Sequence, residues 1–269
     1  MSSPAILNPY ETLNITLVEP HIVKVEMHRP EAANAFNTLM ATEMVSFFEA
    51  FSLDYSDCRV VMLTGSGQKA FCAGGDLKER NGMTDAQWQA QHLIYERMVR
   101  AIMGCPVPVL AAVNGAAYGG GCELVAMADF AYAASDARFA QTEVKLGIIP
   151  GAGGTQNLAR AVGERRAKEL ILSGQTFTAE QACEWGLINA VFDRETLLAE
   201  TLASARLIAA NGPIAVRQAK QAISRGMNLS LADGLAFEIE AYNRTVPTKD
   251  RQEGVAAFNE KRTPNFTGN

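Results

Sequence analysis

A chain of 269 residues exceeds the usual single-domain size, so one large domain with an appendage, or two small ones, is expected. With 48% hydrophobic and 20% charged residues and no run approaching the roughly 18 apolar residues of a membrane span, it reads as a soluble globular protein with a sizeable core. A formal charge of −5 argues against bulk attraction to nucleic acid but leaves room for a small anionic ligand met by local cations, such as the Lys78/Arg80 and Lys261/Arg262 spots.

The first half alternates short strands and helices. Residues 22–28 read as a strand, residues 38–50 as a helix, and Val60–Gly65 as a strand of β-branched and apolar residues. Such βα order implies a parallel sheet. Thr84 followed by Gln87 has capping-box spacing, and the helix it starts runs to about Met103, where Pro106 and Pro108 stop it. Residues 107–113 form a buried strand aimed at a glycine run. Short strands follow at residues 129–134 and 138–140, then a glycine-led turn and helix over residues 151–161. Thr178 and Gln181 make a second capping box, closed at Gly186, a helix C′ position. Beyond about Leu197 glycine becomes scarce and helical pattern dominates, at residues 200–210, 214–225 and 231–242. The expected division is a core of residues 1–197 that holds the site and a helical subdomain of residues 198–269.

Two glutamates stand in glycine-rich surroundings. Glu123 follows Gly119-Gly120-Gly121-Cys122, and Glu143 opens a stretch that runs to Pro150-Gly151. Three glycines between a hydrophobic strand and a helix let the backbone pass close to a ligand and present free N–H groups at a helix N-terminus. A developing oxyanion fits there, with two carboxyls beside it to manage protons. Gly74 and Gly75, after the Val60–Gly65 strand, could supply the second N–H. Blander roles stay open: Glu123 as a first-turn acid worth about 0.3–1 kcal/mol to the helix dipole, Glu143 as a surface partner of Lys145, and Gly74-Gly75 as a tight turn.

Other chemistries find no support. The three histidines have no metal-ligand spacing, and five scattered cysteines without a Cys-x-x-Cys argue for reduced thiols. The stretch Pro150-Gly151-Ala152-Gly153-Gly154-Thr155 lacks the Gly-Lys-Ser/Thr ending of a nucleotide loop, and there is no Gly-x-Ser-x-Gly elbow. The N-terminus carries neither a signal-peptide nor a transit-peptide pattern, so a cytoplasmic location is expected.

Taken together, these elements resemble the crotonase superfamily, the enoyl-CoA hydratase and isomerase group. The resemblance covers nearly the whole chain, from His28-Arg29-Pro30 to Glu260-Lys261-Arg262, and is closest in residues 114–124 and 149–156. Asp76-Leu77-Lys78-Glu79-Arg80, residues 247–254 and residues 260–264 are similar to the methylglutaconyl-CoA hydratase branch. The resemblance implies an α/β crotonase-type spiral of repeated ββα units with a C-terminal helical trimerisation subdomain, trimers commonly pairing into hexamers. It implies an oxyanion hole from the N–H groups of Gly75 and Gly120, and Glu123 and Glu143 as the catalytic acid and base. Contacts to coenzyme A would come from Ala32, Ala33, Ala73, Gly74, Asp76, Leu77 and Lys78, with Phe258 and Lys261 reaching in from a neighbouring subunit. No metal and no cofactor are implied beyond the CoA of the substrate, and neither nucleic acid nor membrane as a partner. The implied activity is hydration of a short or branched 2-enoyl-CoA. Alternatives are methylglutaconyl-CoA hydration, enoyl-CoA isomerisation and, in another class, a non-catalytic RNA-binding or assembly protein. One departure is Phe36, where the group usually has leucine; another is Ala33, at a position often filled by leucine. Trp88, His92 and Tyr95, on the helix after Thr84, are expected to border the acyl pocket and to suit a short or branched chain.

Overall fold

The computed structural model describes residues 10–53 and 58–269; residues 1–9, where a leader pattern was sought, lie outside it. The chain opens with a hairpin of β1 (Leu13–Glu19) and β2 (Ile22–Met27), then α1 (Thr38–Leu53). Three ββα units follow: β3 (Val60–Gly65) and β4 (Ala70–Cys72) with α2 (Leu77–Arg80) and α3 (Asp85–Met103); β5 (Val109–Val113) and β6 (Ala116–Tyr118) with α4 (Gly120–Met127); β7 (Phe130–Ala134) and β8 (Arg138–Ala140) with α5 (Gly154–Val162). Each unit adds one strand to each of two sheets, in the orders β1-β2-β3-β5-β7-β10 and β4-β6-β8-β9. The result is the expected spiral of repeated ββα units, parallel throughout except where β1 pairs with β2 and β8 with β9. After α5 come α6 (Glu164–Ser173), β9 (Thr176–Thr178), α7 (Ala179–Glu184), β10 (Ala190–Phe192) and four helices: α8 (Leu197–Ala209), α9 (Pro213–Gly226), α10 (Leu231–Asn243) and α11 (Lys249–Glu260).

Strands β3 and β5 are buried along their whole length, as expected of unbroken apolar runs in a parallel sheet covered on both faces. Their side chains alternate accordingly. Val61, Leu63, Val109 and Ala111 face the main core between the sheets, whereas Val60, Met62 and Leu110 face outward onto Ala205 and Ala209 of α8. Helix α8 is therefore the outer cover of the large sheet, and the helices beyond it stand further from the core. Lys220 of α9 is tied back by its Nζ, which donates to the Val107 carbonyl (2.9 Å) and to Asp129 (2.6 Å). Helices α9 and α10 meet where Gly226 and Gly234 let their backbones touch.

Both capping boxes form as the sequence predicts, and Gly186 takes φ +86° at the end of α7. Strand β5 starts at Val109, not Val107, and α5 starts at Gly154 because residues 151–153 are spent on a turn with Gly153 at φ +93°. Strand β1 and helices α6 and α11 carry no strong sequence signal; α11 buries only Asp250 and Ala257. None of the helices described is long and apolar enough to cross a membrane.

One buried polar residue fixes the approach to the site. Asn34, 1% exposed and at φ +54°, donates to the carbonyls of Ser66 and Ala70 (both 2.9 Å) and accepts from Arg29 N and Ser66 Oγ (both 3.1 Å). It welds the segment after β2 to the β3–β4 connection. Two residues on, Phe36 forms a parallel bridge with Gly75.

Candidate active site

In the Phe36–Gly75 bridge, Phe36 N donates to Gly74 O (2.8 Å) and Phe36 O accepts from Asp76 N (3.0 Å). Pairing the flanking groups in this way turns the N–H of Gly75 to the opposite side. The residue before it, Gly74, packs against the start of α4. Gly119, at φ +51°, swings the chain out of β6, and Gly120 becomes the first helical residue, whose N–H has no intrahelical acceptor. The two segments lie in close contact: a β-carbon on Gly74 would stand 3.0 Å from Gly120 N, and one on Gly121 would stand 1.9 Å from Cys72 O. Gly75 and Gly120 both line a cavity of about 670 Å³.

Glu123 and Glu143 line the same cavity. One turn into α4, Glu123 is 3% exposed, and its Oε1 accepts N–H bonds from Ala152 (2.8 Å) and Gly154 (2.7 Å). The Pro150-to-Gly154 turn, which superficially resembles a phosphate loop, thus holds a carboxylate. A β-carbon on Gly154 would lie 2.8 Å from that oxygen. Glu143 opens a single 3-10 turn and is 8% exposed. The amide of fully buried Gln141, with its nitrogen toward the carboxylate, donates to Oε1 (3.2 Å) and Oε2 (3.0 Å). Burial raises the Glu123 carboxyl to about 7, helped by the neighbouring Glu143 charge and opposed by the two backbone N–H donors. Burial also raises Glu143, against its own N–H and that of Thr142. The neighbouring charge and burial both favour the protonated form of Glu123. Glu123 also stands in the first turn of α4, where an acid suits the helix dipole, whereas the Lys145 side chain runs along Gly174 and Glu143 forms no ion pair with it among the described residues.

The rest of the wall is largely apolar and aromatic, with Leu77, Trp88, Leu93, Tyr95 and Ile149 on it. Trp88, His92 and Tyr95 do border the cavity, as their helix predicts. Arg80 joins them, and as a site residue it was missed in the sequence, where it is visible only as a basic spot. Its guanidinium stacks on Trp88 at 4.2 Å and Tyr95 at 5.0 Å from the ring centres, while its Nε donates to buried Gln91 (2.7 Å). Its guanidinium also hydrogen-bonds the Tyr95 side chain.

The expected CoA contacts divide. Ala73, Gly74 and Leu77 line the cavity, and Ala33 sits beside them, its carbonyl accepting from Ala73 N (3.0 Å). Ala32, Ala33, Asp76 and Lys78 do not line it. The Asp76 carboxylate is committed elsewhere: it pairs with Arg29 (2.9 Å) and caps α2 through the N–H groups of Lys78 and Glu79. Phe258 and Lys261 lie at the far end of α11, outside the cavity wall, with Phe258 83% exposed. No cluster of three or more His, Cys, Asp or Glu among the described residues is placed to hold a metal.

With this geometry in view, the family model described as enoyl-CoA hydratase/isomerase matches residues 18–269. The chain is similar to the short-chain-enoyl-CoA hydratase of Clostridium acetobutylicum, 40% identical over 91% of this chain and 93% of the relative. Among solved structures it resembles the enoyl-CoA hydratase of Bacillus anthracis, with a TM-score of 0.94 and 43% identity over 96% of this chain and all of the other. It also resembles the enoyl-CoA hydratase of Mycobacterium smegmatis, with a TM-score of 0.90 and 33% identity over 95% and 99%.

Burial of Glu123 has a measurable signature. Between the ordinary value of 4.5 and about 7, the folded chain keeps a proton that the unfolded chain has released, so this residue's contribution to stability falls as pH rises through that window. Glu123→Gln keeps the acceptor oxygen and removes the charge. Relative to the parent it should gain stability from pH 5 to pH 8, by on the order of 1–3 kcal/mol at about 1.4 kcal/mol per pKa unit. Urea unfolding at the two pH values measures the gain; a difference independent of pH would contradict the assignment.

Proposed function

The chain belongs to the enoyl-CoA hydratase/isomerase family, and on that footing we propose that it adds water across the α,β double bond of a short or branched 2-enoyl-CoA to give the 3-hydroxyacyl-CoA. The observation that carries this is the convergence of two buried carboxyls and two outward-facing backbone N–H groups on one cavity. The thioester oxygen accepts from Gly75 N and Gly120 N. Water sits between Glu123 and Glu143, and the ionised member of the pair takes its proton as the oxygen attacks the β carbon. Negative charge moves onto the thioester oxygen as an enolate, where each fixed donor is worth about 2.7–4 kcal/mol. The protonated carboxyl then delivers its proton to the α carbon, and the pair ends the cycle with the one proton it began with. No cofactor takes part beyond the CoA of the substrate. The five free cysteines suit a cytoplasmic enzyme.

Glu123→Gln and Glu143→Gln, purified and folded, should each lose about 10²–10⁴-fold in crotonyl-CoA hydration, followed by loss of the enoyl-thioester absorbance. Near-parental rates in both would overturn the assignment.

A second reading, hydration of 3-methylglutaconyl-CoA, is favoured by one specific observation. Arg80 places a guanidinium with no carboxylate partner among the described residues in a largely apolar wall, and a carboxylate at the far end of the acyl chain is the group such a cation would take up. The short-chain relative supports the simpler crotonyl-type substrate. Comparing crotonyl-, decenoyl- and 3-methylglutaconyl-CoA on the parent and on Arg80→Met decides between them. If the second reading holds, Arg80→Met loses about 10–100-fold in kcat/KM on the carboxylated ester and little on crotonyl-CoA; parallel changes on both would reject it, and a preference for decenoyl-CoA would reject both short-chain readings.

Trimer or hexamer assembly is part of the same proposal, as is completion of the CoA site by Ala32, Ala33, Asp76 and Lys78 of one subunit with Phe258 and Lys261 of another. Its support is the apolar surface that α9 to α11 leave uncovered, with Met227 80%, Leu231 81% and Phe258 83% exposed. Sedimentation at micromolar concentration should give a trimer or larger; a monomer would refute the shared site.

A further inference from the structure

We propose that Phe36 is a positioning residue that sets the spacing and aim of both oxyanion N–H groups at once. The inference rests on the hydratase reading, in which Gly75 and Gly120 hold the thioester oxygen. The two donors follow β4 and β6, which pair in the small sheet, but both lie beyond the paired residues, so their aim depends on what packs against them there. Phe36 touches both. Its backbone brackets Gly75, donating to the carbonyl before it (Gly74 O, 2.8 Å) and accepting from the N–H after it (Asp76 N, 3.0 Å). Its ring covers the other donor: a β-carbon on Gly120 would fall 2.4 Å from Phe36 Cζ and 2.6 Å from Cε1. One residue therefore clamps the peptide of the first donor with hydrogen bonds and the α carbon of the second with its ring.

Phe36 is itself immobilised. It is 3% exposed. Tyr95 Oη donates to its carbonyl (3.1 Å), and the Tyr95 ring meets the Phe36 ring edge-on at 4.9 Å and 84°. Arg29 donates through one terminal nitrogen to Ala35 O (2.6 Å) and through the other to Asp76 (2.9 Å), the residues just before Phe36 and just after Gly75. The clamp is thus closed on the side away from the cavity by a largely buried ion pair and on the α3 side by a tyrosine hydroxyl. Donors aimed at a charge that develops only in the transition state act on kcat and little on binding, and a misplacement of about 1 Å can cost on the order of 100-fold.

The test uses two readouts on the full-length protein: hydration of crotonyl-CoA, and the red shift of a chromophoric cinnamoyl-CoA on binding, which reports polarisation of the thioester carbonyl. Phe36→Ala should lower kcat by about 10–100-fold while KM stays within about 3-fold, with a diminished red shift. Phe36→Leu, which refills most of the space over Gly120, should restore both. Parental kcat with a full red shift would overturn the proposal. So would a rise in KM alone with the red shift intact, which would make Phe36 only part of the acyl wall. If Phe36→Ala does not fold, Tyr95→Phe decides: it removes one hydroxyl from the Phe36 carbonyl and should give a several-fold lower kcat and a smaller shift, whereas no change in either would overturn the clamp. Absence of any red shift in the parent would remove the oxyanion assignment, and the clamp with it. Loss of the glutamate assignment alone would leave the red shifts of the parent, Glu123→Gln and Glu143→Gln intact.

Discussion

Two buried carboxyl groups line one largely apolar cavity, and the cost of keeping them there shapes the surrounding structure. A buried carboxylate needs hydrogen-bond donors, and here they come from opposite directions: backbone N–H groups of Ala152 and Gly154 for Glu123, and the buried Gln141 amide for Glu143. These donors satisfy the acceptors without adding a positive charge that would pin both groups in the ionised form. An arginine in either place would instead hold its carboxyl in the ionised form. The absence of a β-carbon at Gly119 and Gly154 gives the two side chains their room.

The spiral explains how such a site can be assembled at all. Each ββα unit crosses from the large sheet to the small one before entering its helix, so the ends of β4, β6 and β8 fall side by side in the small sheet. What leaves those three ends is the site: Gly74 and Gly75 after β4, Gly120 and Glu123 after β6, Glu143 after β8. Parallel register brings residues distant in sequence to one edge, and the burial of β3 and β5 on both faces gives that edge a rigid base. The functional geometry follows from repetition of a single supersecondary unit.

This edge was largely legible in the sequence because glycine has no substitute where backbones pack this closely, and the glycine runs at 74–75 and 119–121 mark the places. The two glutamates followed from their adjacency to those runs. Arg80 was not legible as a site residue: its place in the wall depends on α2 and α3 packing so that Trp88 and Tyr95 face it, a tertiary fact that no spacing encodes. Gln141 was hidden for a similar reason, since an isolated glutamine before a short turn gives no local sign of burial. The amphipathic signal of the C-terminal helices was read correctly in α9 and α10 but missed α11, which buries too few residues to show a periodic face. The pairing of Asp76 with Arg29 was hidden likewise, since the two stand 47 residues apart in sequence.

The turn that supports Glu123 also touches the acyl wall. Gly151 lies so close to His92 of α3 that a β-carbon there would stand 2.4 Å from the imidazole Cε1, and the next residue, Ala152, is a donor to the carboxylate. Helix α3 and the Glu123 carboxylate therefore lean on one turn. Under the proposed hydration, an acyl chain too bulky for the wall would press on α3 and, through His92 and Gly151, on the N–H that holds Glu123. Discrimination between chain shapes would then fall on the chemical step as well as on binding.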